Sequence, residues 1–241
     1  MNFIIKLVTV CLLSTVAFSA SSEEKTKEPK GWFGAAEFGL VITSGNTDTS
    51  TATGKFEVSY DLEKWLHFAK FDIVNAEVDN TTTAERYLLN LKSDYKMDDE
   101  QFLFAGFTHD VDKFSGFDSQ STLVAGYGRK LYHSETFQLS AEVGPGYRIS
   151  ELDDGSNDSE AIIHFGSKGK YTVNEYSHFV ADLTVDGGSD QTISIFNIGY
   201  VNKLNNALAL KLSYNIKNSS SVPVGSKKTD TITAVSLLYS F

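Results

Sequence analysis

The sequence predicts an all-β fold: an up-and-down antiparallel transmembrane β-barrel of about twelve strands. Three observations carry this reading. Apolar and polar residues alternate with period two in one stretch after another, from residue 32 to residue 241. The connections between those stretches alternate between short and mostly longer ones. Once the N-terminal apolar run is set aside no cysteine remains, so sheet closure and packing must hold the chain without disulfides.

Residues 1–20 place one lysine, Lys6, before an apolar run from Leu7 to Val16, followed by the small residues Ala17, Ser19 and Ala20. This reads as a secretory signal peptide cleaved between Ser19 and Ser22. The run is shorter than the ~20 apolar residues that a spanning helix needs. Cys11 sits inside it after Val10, not in a lipoprotein context, and is expected to leave with it. A polar segment, 21–30, then leads into the barrel at 31–241.

The strand series opens with 32–43, 51–60 and 65–75. In 86–97, Tyr87, Leu89, Leu91, Tyr95 and Met97 share one face, and Arg86, Asn90, Lys92, Asp94 and Lys96 the other. Stretches 102–110 and 119–131 follow. In 137–148, Phe137, Leu139, Ala141, Val143 and Tyr147 alternate with Gln138, Ser140, Glu142, Gly144, Gly146 and Arg148. Next come 160–171, 178–186 and 192–202, and then 208–217, where Leu208, Leu210, Leu212, Tyr214 and Ile216 oppose Ala209, Lys211, Ser213, Asn215 and Lys217. The last stretch, TITAVSLLYSF, puts Thr231, Thr233, Val235, Leu237, Tyr239 and Phe241 on one face. Short connections fall at 61–64, 98–101, 132–135, 172–176 and 202–206; those at 44–48, 76–84, 111–118, 150–159, 186–190 and 218–229 are mostly longer and polar. Pro145 interrupts a strand, which predicts either a bulge or a lipid-facing position.

Period two alone does not say which face is buried. Four features select the membrane version over a soluble barrel. Glycines accompany charges on the polar faces (Gly126, Gly128, Gly144, Gly146), as suits a confined interior. Aromatics gather near strand ends, for example Tyr60, Trp65, Tyr95, Tyr171 and Tyr239, where an interface belt would hold them. The apolar stretches are mostly nine to twelve residues, enough for a tilted strand to cross hydrocarbon. Closure leaves no open edge, so a last strand can end flush at the rim.

On this reading the polar faces line a lumen. The candidate lining residues are Glu37, Lys70, Asp72, Arg86, Lys92, Asp94, Glu142, Arg148, Lys168 and Lys211, with Lys55, Glu57, Lys130, Glu160, Lys170 and Asp182 beside them. The signs are nearly balanced, so cross-lumen pairing in a salt-bridged structural interior and a narrow pore for small solutes are both open. The formal charge of −10 and the lack of a basic stretch exclude nucleic acid as a partner. The acidic excess is read as loop: Asp110, Asp112 and Asp118; Glu151, Asp153, Asp154 and Asp158; Asp186 and Asp190. Solvated loop is the simpler interpretation; bridging lipopolysaccharide phosphates through divalent cations is the functional one.

No cofactor, metal site or catalytic residue is assigned. The spacing of ELDDGSNDS does not fit a calcium loop, and no nucleophile elbow, HExxH pair or phosphate loop occurs. The competing class, a membrane-embedded lipid hydrolase, would rest on His109 with Ser115 and Asp112. His67 and His133 read as interface residues, and His164 and His178 as lumenal. Val235, Leu237, Tyr239 and the terminal Phe241 read as the signal by which barrel assembly machinery recognises the last strand through strand pairing.

Several segments carry a resemblance: GWFGAAEFGLVITSGNTDTST, HDVDKFSGFDSQSTLVAGYGRKL, LSAEVGPGYRISE and VPVGSKKTDTITAVSLLYSF. Through them nearly the whole mature chain resembles the salt-induced outer membrane proteins of Gram-negative bacteria, a family defined as a domain of unknown function. The resemblance implies an outer-membrane β-barrel and supplies neither an activity nor catalytic residues.

Overall fold

The computed structural model describes residues 31–43, 49–79, 81–113, 117–152, 155–222 and 228–241. The proposed signal peptide and the polar segment lie outside the described residues. Twelve strands follow one another: β1 (Gly31–Thr43), β2 (Thr49–Asp61), β3 (Trp65–Val78), β4 (Thr81–Lys96), β5 (Gln101–Asp112), β6 (Phe117–His133), β7 (Phe137–Leu152), β8 (Asn157–Thr172), β9 (Ser177–Gly188), β10 (Thr192–Lys203), β11 (Leu208–Ser219) and β12 (Thr229–Ser240). Each pairs antiparallel with its chain neighbours, and β12 returns to β1, so the sheet closes into a barrel.

The burial pattern is inside-out relative to a soluble domain. Leu123, Ile163 and Leu212 stand outward at 60%, 61% and 53% exposure, while Arg148 and Ser236, both polar, are 1% and 2% exposed. Only a lipid-facing wall makes that arrangement stable, because hydrocarbon replaces the missing apolar core. Aromatic side chains rim the end that carries the tight turns: Trp32 stacks on Tyr60 at 4.4 Å and Trp65 meets Tyr95 at 5.0 Å. Their amphipathic rings suit the headgroup level.

The two ends differ less in loop length than the sequence predicts. Turns at 62–64, 97–100, 134–136, 173–176 and 204–207 are short, as expected. At the opposite, loop end, strand pairing continues well past the apolar pattern. Thr81 and Thr82 pair within a β3–β4 hairpin that reaches Val78, with Thr83 skipped at a register shift, where a long loop at 76–84 is predicted. Asp79, with a positive φ of 48°, turns that hairpin, a conformation that Asp tolerates. Likewise β5 runs to Asp112, β7 to Leu152, and β8 begins at Asn157. Backbone hydrogen bonds hold a hairpin together in water as well as in lipid, whereas the apolar alternation stops where lipid stops.

Two irregularities re-aim side chains. A bulge between Lys130 and Tyr132 pairs Tyr132 with Leu139 and His133 with Gln138, so His133 turns to the lumen side. This corrects the placement of His133 at the lipid interface. Around Pro145 there is no register shift, and the residue faces outward, which settles the choice between bulge and lipid face. The β6–β7 ladder passes from Val124↔Gly146 to Tyr127↔Val143 with no pair between. There the two backbones approach so closely that a Cβ on Gly144 would sit 2.7 Å from the Gly126 Cα.

At the seam, β1 and β12 pair over Ala35–Gly39 and Ser236–Ser240, the shortest ladder in the ring. Phe241 extends it by exchanging two 2.9 Å backbone hydrogen bonds with Gly34. Its ring lies in the space that Gly34 leaves by lacking a Cβ and stacks on Tyr239 at 6.0 Å.

Candidate functional site

Alternation along each strand turns the charged side chains into the lumen, and their heights sort them into three layers. Nearest the loop end, Asp110 of β5 accepts from Arg86 Nε at 2.7 Å and Nη2 at 2.8 Å, and from Lys217 Nζ at 2.9 Å. Arg86 lies on β4, but Lys217 lies on β11, which is six strands from β5 in the ring of twelve. This ion-pair chain therefore spans the lumen from one wall to the other.

A second network lies in the same layer. Arg148 pairs with Glu160 and with the Gln191 carbonyl. Gln120 Nε2 donates to Ser150 Oγ at 3.0 Å and to Gln191 Oε1 at 3.1 Å. Gln191 donates onward to the Ser221 carbonyl at 2.6 Å, and the Asp190 N–H donates to Glu160 at 2.9 Å. The short β9–β10 connection is thus folded inward and tied to β6, β7, β8 and the chain beyond β11. The network pairs most of its buried groups, although Arg148 Nε and Nη1 are buried without a hydrogen-bond partner.

In the middle layer Lys92 of β4 reaches Glu142 of β7 at 2.5 Å and Asp94 at 3.3 Å. Glu142 also lies 3.5 Å from His164, whose Nδ1 is 2.6 Å from Asp186. The Lys92 ammonium sits over the Phe102 and Phe104 rings at 5.3 and 5.1 Å. On the other wall Lys211 and Lys55 hold Glu37 at 2.8 and 3.8 Å, and Lys70 holds Asp72 at 3.0 Å.

The layer at the turn end is more open. Lys96 pairs with Asp61, but Lys168 reaches across to lie 5.2 Å from the Phe68 ring centre. A cavity of about 630 Å³ runs from Lys130, His133, Lys170 and His178 at this end up to Asp110, Gln120 and Lys217. A smaller one of about 160 Å³ lies between β2–β4 and β10–β12.

All ten lumen candidates occupy inward positions and the bridges join several of them, but some bridge residues lie where the sequence predicts loop. Asp110, Asp112 and Asp186, expected in acidic loops, are inward strand residues. They share the parity of Thr108 and Thr184, and carrying the alternation two to four residues further would have placed them. Lys217 lies on the polar face that the sequence predicts for 208–217, and Gln120 and Gln191, being uncharged, carry no sequence signal. Outside the membrane, Asp98 accepts from the N–H groups of Glu100 and Gln101 at 2.8 and 2.7 Å in the β4–β5 turn. The Glu100 hydrogen bond, then that of Gln101, holds its carboxyl below the ordinary range.

The hydrolase grouping does not assemble. His109 faces outward and its Nδ1 meets Ser121 Oγ at 2.9 Å, whereas Asp112 turns inward toward Lys217. Ser115 lies outside the described residues. The same cross-strand pair recurs at the other end, where His67 Nδ1 meets Ser93 Oγ at 2.9 Å, so it is a wall contact of this barrel. Among the described residues no three His, Cys, Asp or Glu side chains converge on a point that could hold a metal.

Comparison with known proteins agrees with the architecture. The uncharacterized protein YdiY of Escherichia coli K12 is 23% identical over 222 residues, covering 90% of this chain and 86% of YdiY. The COG4313 outer membrane channel from Pseudomonas putida F1 superposes with a TM-score of 0.55 at 10% identity, over 93% of this chain and all of the channel. The translocator domain of the autotransporter NalP from Neisseria meningitidis gives 0.53 at 12% identity, over 89% and 90% of the two chains. At these identities the likeness is one of fold: a closed outer-membrane barrel. The model of the protein family of unknown function DUF481 matches residues 36–241, and the chain belongs to that family.

Proposed function

We propose that this barrel is a narrow, charge-lined passage for small solutes, held shut at its loop end by side-chain bridges. The observation that carries this is the Arg86–Asp110–Lys217 chain, which crosses the full lumen above a cavity of about 630 Å³. A purely structural barrel would have no use for a cavity of that size, since a packed interior is more stable.

In this reading the turns and both chain ends face the periplasm and the loops face outward, as in other barrels of this kind. The protein is exported by a signal peptide cleaved between Ser19 and Ser22. Val235, Leu237, Tyr239 and Phe241 then present an outward apolar row, with Phe241 pairing to Gly34, for the assembly machinery to read. The finished wall contacts outer-membrane lipid and lipopolysaccharide. Phe241→Ser should slow insertion more than it lowers the stability of barrels already inserted; normal insertion in cells would count against the signal. For the passage, currents across planar bilayers decide. Small, infrequent openings are expected of the natural chain and larger, steadier ones of Asp110→Ala. Silence in both would assign the barrel to envelope structure.

A further inference from the structure

We propose that the turn end of the lumen is a binding cup for a compact polyanion bearing carboxylate or phosphate groups. This rests on the passage reading in one respect: the cup is entered from the turn rim.

The site is a grid on three neighbouring strands. Lys130 of β6 pairs with Ser140 of β7, which pairs with Lys168 of β8. One row nearer the rim, His133 pairs with Gln138, which pairs with Lys170. Four basic side chains therefore flank two neutral hydrogen-bonding ones, and all six line the large cavity. Strands lie ~4.8 Å apart, so the basic columns are separated by roughly 10 Å at the backbone, a gap that a small polyanion fills. Ser140 and Gln138 sit beneath that gap and can donate to its oxygens.

Three further observations point to an anion. The bulge between Lys130 and Tyr132 is what brings Lys130 and His133 to the same face; regular alternation would turn one of them outward. Of the acids that line the cavity, Glu37 has Lys211, Asp110 has Arg86 and Lys217, and Asp186 has His164, while Glu57 and Asp182 make no ion pair within 4 Å among the described residues. Lys168 stands opposite Asp182 in register, yet makes no ion pair within 4 Å and rests instead on the Phe68 ring. Lys170 likewise forms no ion pair among the described residues. A cation held only by an aromatic face is easily recruited, since that contact is weak where water has access. The chain as a whole carries −10, so a basic wall here is a local departure from its composition.

The test is calorimetric titration of the folded barrel in neutral detergent with citrate and, separately, pyrophosphate at low salt. Saturable binding of either is expected, weakening as salt is raised. Lys168→Gln with Lys170→Gln should weaken it at least tenfold. Arg129→Gln removes a cation at the same end but on the outer face, and should leave binding unchanged. Citrate alone would assign carboxylates, pyrophosphate alone phosphates, and both a general polyanion cup. Absence of saturable binding to barrel that still shows heat-modifiable gel migration would overturn the proposal, as would undiminished binding by the double variant. No current is measured, so a silent barrel that binds keeps the cup and loses the passage, and a conducting barrel that does not bind does the reverse.

Discussion

At the loop end of the lumen, Asp110 draws cations from β4 and β11 onto one carboxylate, and Arg148, Gln120 and Gln191 form a second polar network beside it. At the turn end, Lys168 and Lys170 stand on one wall without carboxylate partners within 4 Å. Both ends obey the same inward-outward alternation and both are built from ordinary surface residue types. The difference lies in which charges the strand tilt brings to the same height. Where opposite signs share a level they pair across the lumen; at the turn end Lys168 and Lys170 make no such pair.

Asp110→Ala breaks this contrast most strongly. It strands two cations whose side chains are mostly removed from solvent, so a loss of about 3 kcal/mol is expected, the low end for a broken buried pair because water enters the lumen. Denaturant unfolding in vesicles checks it. Lys170→Gln at the open end should cost almost nothing by the same measurement.

The inside-outside assignment is sharpened by one pair of substitutions. Leu91→Lys places a charge on the lipid face near mid-strand of β4 and should cost about 2–4 kcal/mol. Asn197→Lys, on the lumen side of β10, should cost far less. Equal costs would mean that the two faces see the same solvent.

A smaller effect is expected at the β6–β7 wall. Gly144→Ala forces a methyl against the Gly126 backbone and should destabilise by about 1–3 kcal/mol, whereas Gly54→Ala, with open space around it, should be close to neutral. Melting of the two variants side by side separates close strand approach from a general glycine effect.

The smallest effect is outside the membrane. The Asp98 carboxyl is held below its ordinary value of 3.8, so its contribution to the turn is present above that pH and lost as pH falls through the lower folded value. Exchange of the Gln101 amide should therefore quicken only below about pH 3.8. Asp98→Ala should show quickened exchange at all pH values.

Most of the fold was legible because lipid imposes a period-two signal on every strand: all twelve stretches, from 32–43 to the C-terminal one, correspond to strands. The loop end was harder to read. Beyond the hydrocarbon nothing distinguishes a paired Thr82 or Asp112 from a loop residue, since backbone pairing there needs no apolar side chain. The inward set was legible from parity for Glu37, Lys92, Glu142 and Arg148, but their partners were not. That Lys92 meets Glu142 three strands away, and Lys217 meets Asp110 across the barrel, depends on tilt and register, which no local pattern encodes. The inward turn of His133 depends on one bulge, invisible to strict alternation.

The most direct test of closure at the loop end is the current through single barrels of the natural chain and of the Asp110→Ala, Gln191→Ala double variant, recorded in planar bilayers under identical salt. That variant removes the Arg86–Asp110–Lys217 chain and the Gln120–Gln191–Ser221 side-chain link. It keeps Arg148 on Glu160 and the Gln191 carbonyl, and leaves the turn-end wall untouched. Small or rare openings in the natural chain and steady currents several-fold larger in the variant are expected. Full, steady conductance in the natural chain, unchanged by the two substitutions, would contradict it.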